Sequence, residues 1–262
     1  IAGLTVTQAA VLTADQVGAL STTQFRSLEA ADLGAINTNA IAGLTTAHAA
    51  VLTATQALGL TSAQIAKMDA VDIQQFSTSV VAGLTADQLN GLTAEQIAVL
   101  GLTGTTQVWS LNATQMASLD STQLQALTTL QASILTASQM ASLDSSQIGK
   151  LEADDMAKLS TGVIAALTDA QIDGLTGQQI IDLTTAQVAA LTASQVAGLS
   201  GVQMAAMETS DFAKLSSSAI AGLTTTQSAA LTADQIGAMS TAQFKAIEAA
   251  DMAKVSTVAI AG

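Results

Sequence analysis

The chain repeats large apolar residues at two fixed places within a period of eight. From Leu4 to Gly262 it divides into 32 blocks, of which 31 are octads and one, residues 100–110, has eleven residues. Position 1 is Leu in 25 of the 32 blocks, and position 6 is mostly Ile, Val, Met, Leu or Phe. A short strict period of this kind is typical of arrays whose units pack only on their neighbours. We therefore predict a single continuous repeat array over residues 1–262, with 100–110 as its irregular block.

The polar positions predict that each octad is a short helix. Position 2 is usually Thr or Ser and position 5 is usually Gln, as at Thr13 and Gln16, which is the capping-box spacing of a helix start. Eighteen of the 20 acidic residues lie at positions 2–5, and all seven Lys and Arg residues lie at positions 7 or 8. A helix dipole favours this distribution. We expect helices of five to seven residues, several closed by a glycine such as Gly43 or Gly91 in a left-handed turn.

These elements predict an all-α solenoid, a superhelix of short capped helices with one helix per octad. A helix of this length cannot fold alone, because the entropy of ordering eight residues exceeds what two buried side chains return. Neighbouring octads must therefore stabilise one another. We expect positions 1 and 6 to line the interior, and Thr, Ser, Gln and the acidic residues to form the outer surface.

A longer, imperfect repeat of 40 residues is superimposed on the octads. Residues 4–43 and 223–262 align without gaps and share 25 of 40 positions. Five acidic octads carry an acid at position 2 and Asp at position 5, and each is followed by an octad with Ala or Val at position 5. One interpretation is that five octads complete a superhelical turn and stack the acidic octads. Another is that residues 21–35 form one longer helix without a break at Glu29.

Composition narrows the possible functions. The net charge of −13 would repel phosphate backbones, so we expect no nucleic-acid partner. Polar residues interrupt every octad, so no apolar run approaches the ~20 residues of a membrane-spanning helix, and we expect no membrane insertion. The chain has no Cys and one His, and nothing in it forms a catalytic constellation. We therefore predict neither an enzyme nor a resident cofactor.

Three features are candidate sites. His48 occupies the place of a capping glutamine, which is how we interpret it. Trp109, the only tryptophan, lies in the eleven-residue block, where it either fills the gap left by the insertion or, if exposed, is a candidate contact for a partner. The acid pairs could bind Ca²⁺ if they stack, although they lack the spacing of a calcium loop and also fit a helix-start charge pattern. These calcium candidates are Glu29, Asp32, Asp69, Asp72, Glu152, Asp155, Glu208, Asp211, Glu248 and Asp251.

The octads resemble a known class of repeat. Residues 183–198, LTTAQVAALTASQVAG, resemble the Leu-Thr-x-x-Gln repeat regions of very large bacterial secreted or surface proteins of adhesin-like type. The resemblance implies an extracellular or cell-surface location and a structural role in a fibre, sheath or adhesin. The calcium-binding nonapeptide of many secreted proteins is missing, so calcium-driven folding is not implied.

The two ends of the chain also match, since residues 1–3 and 260–262 both read Ile-Ala-Gly. We interpret the chain as a piece of a longer array or as one repeating unit, and expect self-association, head to tail, into a filament. The alternative function is a binding module that holds Ca²⁺ or a glycan in the groove of the superhelix.

Overall fold

The protein is an all-helical repeat structure. The computed structural model describes residues 3–100 and 110–256, and these residues form 29 short α-helices and a 3₁₀ turn at Ile41–Gly43, with no strand among them. The prediction of a helical repeat solenoid with one helix per octad is confirmed. The helices have four to six residues, so they are slightly shorter than the sequence pattern indicates.

The helices before the eleven-residue block are α1 Val6–Ala9, α2 Ala14–Gly18, α3 Thr22–Arg26, α4 Ala30–Ala35, α5 Thr46–Val51, α6 Ala54–Ala57, α7 Ser62–Ile65, α8 Ala70–Ile73, α9 Thr78–Gly83, α10 Ala86–Asn90 and α11 Ala94–Val99. Those after it are α12 Ala113–Ser118, α13 Ser121–Gln125, α14 Thr129–Ser133, α15 Ala137–Ala141, α16 Ser145–Ile148, α17 Ala153–Met156, α18 Thr161–Ala165, α19 Asp169–Asp173, α20 Gly177–Ile181, α21 Thr185–Ala189, α22 Ala193–Gly198, α23 Gly201–Ala206, α24 Thr209–Phe212, α25 Ser217–Ala221, α26 Thr225–Ala230, α27 Ala233–Gly237, α28 Thr241–Ala246 and α29 Ala249–Met252.

The capping box starts these helices as the sequence indicates. In α21, Thr184 is extended, at φ −72° and ψ 153°, and its hydroxyl accepts a hydrogen bond from the backbone N–H of Gln187. The side-chain oxygen of Gln187 accepts in return from the N–H of Thr184, at 2.8 Å. Two of the free N–H groups of the first turn are satisfied in this way, which makes a helix of five residues feasible.

Within each of two compact units, helices pack on the helix three octads further along the chain. The pairs α6–α9, α22–α25 and α23–α26 are examples. The chain forms two compact units, residues 1–131 and 132–262, and the same pairing occurs within each. The alternative of five octads per turn is therefore wrong. Because successive acidic octads lie five to ten octads apart, this pairing does not bring one onto the next.

The interior contains positions 1 and 6, as predicted, and also position 5. Leu191 and Val196 represent the two apolar positions and are buried. Gln187 is only 1% exposed, and most other position-5 glutamines are buried too. The prediction that Gln lies on the outer surface is therefore wrong. It is also wrong for the aspartates at position 5, whereas the acids at position 2 are exposed.

The proposed longer helix over residues 21–35 is not formed. Helix α3 ends at Arg26, and α4 begins at Ala30. Between them Glu29 is extended, at φ −80° and ψ 160°. The break between helices that the octad pattern predicts is therefore present at this acidic octad too.

Some of the glycines that close octads, Gly43 among them, are needed for their small size. Among the described residues only Gly3 has a positive φ, and Gly91, predicted to exit in a left-handed turn, has φ −75°. That prediction is wrong. A Cβ on Gly43 would lie 2.0 Å from the backbone oxygen of Ala14 in α2, three octads earlier. Glycine is needed there because the two backbones approach closely.

Substitution of Gly43 tests this close approach. We expect Gly43→Ala to destabilise the fold by about 1–3 kcal/mol, since backbone must move to admit the methyl group. Gly177→Ala is the matched control, because nothing lies within 4 Å of a Cβ there. The control should be neutral or stabilise by about 0.4–1 kcal/mol. Urea unfolding measures both, and equal effects would contradict the close-approach role.

A second substitution tests a defect in the core. Ser228 occupies a position-6 site, is fully buried, and its hydroxyl has no hydrogen-bond partner among the described residues. We expect Ser228→Ala to stabilise the protein by about 1 kcal/mol, because an unsatisfied buried hydroxyl is removed. Ser210→Ala, at an exposed helical site, controls for helix propensity. Thermal unfolding should show a larger gain for Ser228, and a loss would contradict the assignment.

Candidate functional site: a glutamine bridge between turns

The position-5 glutamine connects one turn of the solenoid to another. The side-chain nitrogen of Gln187 donates to the carbonyl oxygens of Met156 and Leu159, each at 2.8 Å. These two carbonyls lie at the junction between two octads of the preceding turn. Because the oxygen of the same amide accepts from Thr184, one side chain starts its own helix and binds the end of another.

The bridge recurs through both units. Its acceptors are residues 28 and 31 positions earlier, or 31 and 34 positions earlier where the eleven-residue block intervenes, so the same octad junctions are joined. Glutamines that donate to two or more carbonyls of the preceding turn are Gln56, Gln64, Gln88, Gln96, Gln115, Gln123, Gln131, Gln171, Gln179, Gln187, Gln195, Gln203, Gln227, Gln235 and Gln243.

The bridge explains how so polar a residue is buried. A primary amide has two N–H donors, and both are used together with its oxygen. Of the two acceptors of Gln187, the carbonyl of Met156 also accepts from the backbone N–H of Leu159, whereas the carbonyl of Leu159 accepts no backbone hydrogen bond from the described residues. Each bridge therefore removes unsatisfied groups from two elements at once, and burial without it would cost free energy.

The capping box alone did not predict this second role, but the sequence holds a signal for it. Glu serves a capping box as well as Gln does, and the helix dipole would favour its charge. Yet the five glutamates of this acidic chain avoid position 5 altogether. A carboxylate has no N–H to donate, so the absence of Glu indicates that the amide donors are needed.

His48 substitutes for one of these glutamines, as the sequence indicates. Its Nδ1 accepts from the N–H of Thr45 at 3.3 Å, and its Nε2 lies 2.7 Å from the carbonyl oxygen of Leu20. This pairing assigns the ring proton to Nε2. The ring also stacks on Phe25, with centroids 4.9 Å apart. His48 is thus a structural bridge with one donor in place of two.

The ten calcium candidates divide into two groups by burial. The acids at position 2, Glu29, Asp69, Glu152, Glu208 and Glu248, are exposed, whereas Asp32, Asp72, Asp155, Asp211 and Asp251 are buried. In one pair, Asp32 accepts from the backbone N–H of Glu29 at 3.1 Å. Within residues 3–100 and 110–256 no three Asp, Glu, His or Cys side chains are grouped as a metal site would need. Calcium binding stays a prediction, and Trp109 lies outside the described residues.

The buried aspartates occupy the place of the bridging amide. Burial, reinforced by Asp69, raises the pKa of Asp72 to about 6, and His48 acts in the opposite direction. Burial, reinforced by Glu152 and Asp154, raises the pKa of Asp155 to about 6. Burial and Glu208 also raise the pKa of Asp211. A carboxyl that has lost its water is harder to ionise, particularly beside another acid.

The comparison with protein families supports a repeat region. Residues 65–102, 148–185 and 204–241 match the model of a family described as the ALTTAQ repeat. No curated protein gives a significant match. All three matches begin at position 6 of an octad, and each then includes an acidic octad and the octad with Val or Ala at position 5 that follows it. Each match therefore begins at the same point relative to its acidic octad.

The repeat match and the fold together indicate a structural repeat segment. None of the described helices is long and apolar enough to cross a bilayer. Two depressions in the described part are open to solvent, and one is lined by Ser62, Ala63, Ala66, Asp87, Asn90 and Gly91. The other includes the carboxylates of Asp69 and Glu95.

The bridge can be tested within one helix, since α13 contains two glutamines of different kinds. Gln123 donates to Leu89 and Leu92 and is buried, whereas Gln125 is exposed. We expect Gln123→Glu to destabilise the protein by about 3 kcal/mol at pH 7, because a carboxylate would face two carbonyl oxygens. The control Gln125→Glu should change stability by less than about 0.5 kcal/mol. Urea unfolding checks both, and equal values would contradict the bridge.

Proposed function

We propose that the chain is a structural repeat segment of a bacterial extracellular fibre, sheath or adhesin, and that it acts by extension and by head-to-tail association with a second copy. The observation that carries the proposal is the repetition itself. One kind of short helix and one kind of glutamine bridge recur through both compact units. The buried glutamine amides hydrogen-bond one turn to another. Such a design supports length and stiffness. The extracellular setting rests on the resemblance of the octads to secreted repeat regions.

Three glutamines have amide donors that do not form the bridge. In the first three octads the oxygens of Gln8, Gln16 and Gln24 accept capping hydrogen bonds, as in other octads. Their side-chain nitrogens make no hydrogen bond to any described residue, and all three residues are exposed. Val6 and Val11 beside them are 52% and 75% exposed. We call these five residues the head surface.

A complementary surface occurs in the last octads. No glutamine amide from the described residues reaches the carbonyls of Ile236 and Met239. Phe244 is 45% exposed, although it holds the apolar position 6. We call these three residues the tail surface. The donors of the head surface match the acceptors of the tail surface, so further repeats, of the same chain or of a second copy, would continue the bridge at either surface. We propose that a second copy does so, in a heterologous contact that propagates as a filament.

Assembly of the purified chain tests this proposal. We expect filaments in electron micrographs, with an average length that rises with protein concentration. The triple variant Gln8→Glu, Gln16→Glu and Gln24→Glu should remain monomeric by light scattering, because carboxylates would replace the amide donors.

The matched control adds the same charge elsewhere. Gln75→Glu, Gln125→Glu and Gln178→Glu alter glutamines that do not bridge turns, and this variant should assemble like the parent. A parent chain that stays monomeric at every concentration, or a head-surface variant that assembles normally, would overturn the proposal.

A further inference from the structure

The acidic octads interrupt the series of glutamine bridges. Gln203 donates to Ile172 and Leu175, and the next glutamine at position 5, Gln227, donates to Val196 and Leu199. Between them Asp211 and Ala219 occupy position 5. Two consecutive octads therefore send no amide to the preceding turn. We call such a pair, an acidic octad and the one after it, an acid seam.

The helices of an acid seam nevertheless pack in the ordinary way. Helix α24, which contains Asp211, packs on α21, and α25, which contains Ala219, packs on α22. By the register of the neighbouring bridges, Asp211 is paired with the junction at Ile180 and Leu183. The same register pairs Asp72 with Ile41 and Leu44 in the other unit, where α8 packs on α5. Each aspartate thus holds the place from which an amide would donate.

An ionised aspartate cannot perform that task. A carboxylate only accepts hydrogen bonds, as carbonyl oxygens do, so acceptors face acceptors at an acid seam. A proton on the carboxyl restores one donor.

We propose that Asp72 and Asp211 are proton-binding sites, one within each unit, that close their acid seams on mild acidification, when each protonated carboxyl donates a hydrogen bond in place of the missing amide. The protein is then more stable at pH 5 than at pH 7.5. The raised pKa values of both carboxyls agree with this direction. A group whose pKa is higher in the folded state than in the unfolded state binds its proton preferentially when folded. For Asp72 the stabilising effect is complete below about pH 4 and is lost as the pH rises through about 6.

Charged residues on the two helices packed against Asp72 act on its carboxyl. Asp72 is packed between α5, which carries His48, and α11, which carries Glu95. A charged His48 would oppose protonation of Asp72.

Asp211 has charged neighbours of both signs. It is packed between α21, which has no ionisable residue, and α27, which carries Asp234. Its own octad contains Glu208, which favours protonation of Asp211, and the exposed Lys214, whose positive charge opposes it.

Thermal unfolding of the full chain between pH 7.5 and pH 4.5 tests the proposal. We expect the melting temperature to rise by on the order of 5 °C as the pH falls. The double variant Asp72→Asn and Asp211→Asn carries permanent amide donors of nearly the same size. It should melt above the parent at pH 7.5 and show little further rise on acidification.

A matched control separates this effect from general relief of negative charge. Asp15→Asn and Asp87→Asn together remove the same charge from exposed sites and should leave the rise intact. A parent without a rise, or a control that flattens the profile as much as the seam variant does, would overturn the proposal.

A second measurement serves if the seam variant does not fold. Carbon-detected NMR of the parent should show aspartate carboxyl groups that titrate near pH 6. Titration of every aspartate below pH 5 would overturn the proposal as well.

Discussion

The buried primary amide at position 5 is the interaction on which the structure depends. An octad buries only two large apolar side chains, which is too little to order eight residues. The glutamine adds hydrogen bonds in two directions, to its own helix start and to helix ends one turn away. Because those groups are buried, loss of the amide would leave donors or acceptors unsatisfied on both elements. The short helix and the turn of the solenoid are therefore stabilised by the same side chain.

Much of this architecture follows from the sequence, because its causes are local. Thr184 and Gln187 predict a helix start through their spacing alone, and the sorting of acids and bases predicts where each helix ends. The turn of the solenoid was not predictable in this way. It depends on contacts 28 and 31 residues apart, which no local pattern encodes, and the more visible 40-residue rhythm suggested a longer turn. The same limit explains Gly43, whose close neighbour is Ala14 in another octad.

The candidate sites were predictable to a smaller degree. The substitution of His48 for a glutamine was visible, because position 5 has a defined task at a helix start. The burial of Asp72 and Asp211 was not, since the sequence presented them as helix-start charges facing solvent. Their environment is set by the preceding turn rather than by their own octad. The absence of Glu from position 5 was the available sign that this position is not an outer one.

The two kinds of residue at position 5 have different consequences for an extended array. Gln gives a bridge that is insensitive to pH, because a primary amide does not titrate in water. Asp gives one whose donor depends on a proton, and it is always followed by an octad with no polar group at that position. All three matched family segments contain this pair in the same phase. An array built only from glutamine octads would be uniformly stiff, whereas acid seams place weaker joints at intervals along it. The irregular spacing of the acidic octads therefore determines where the weaker joints lie along the array.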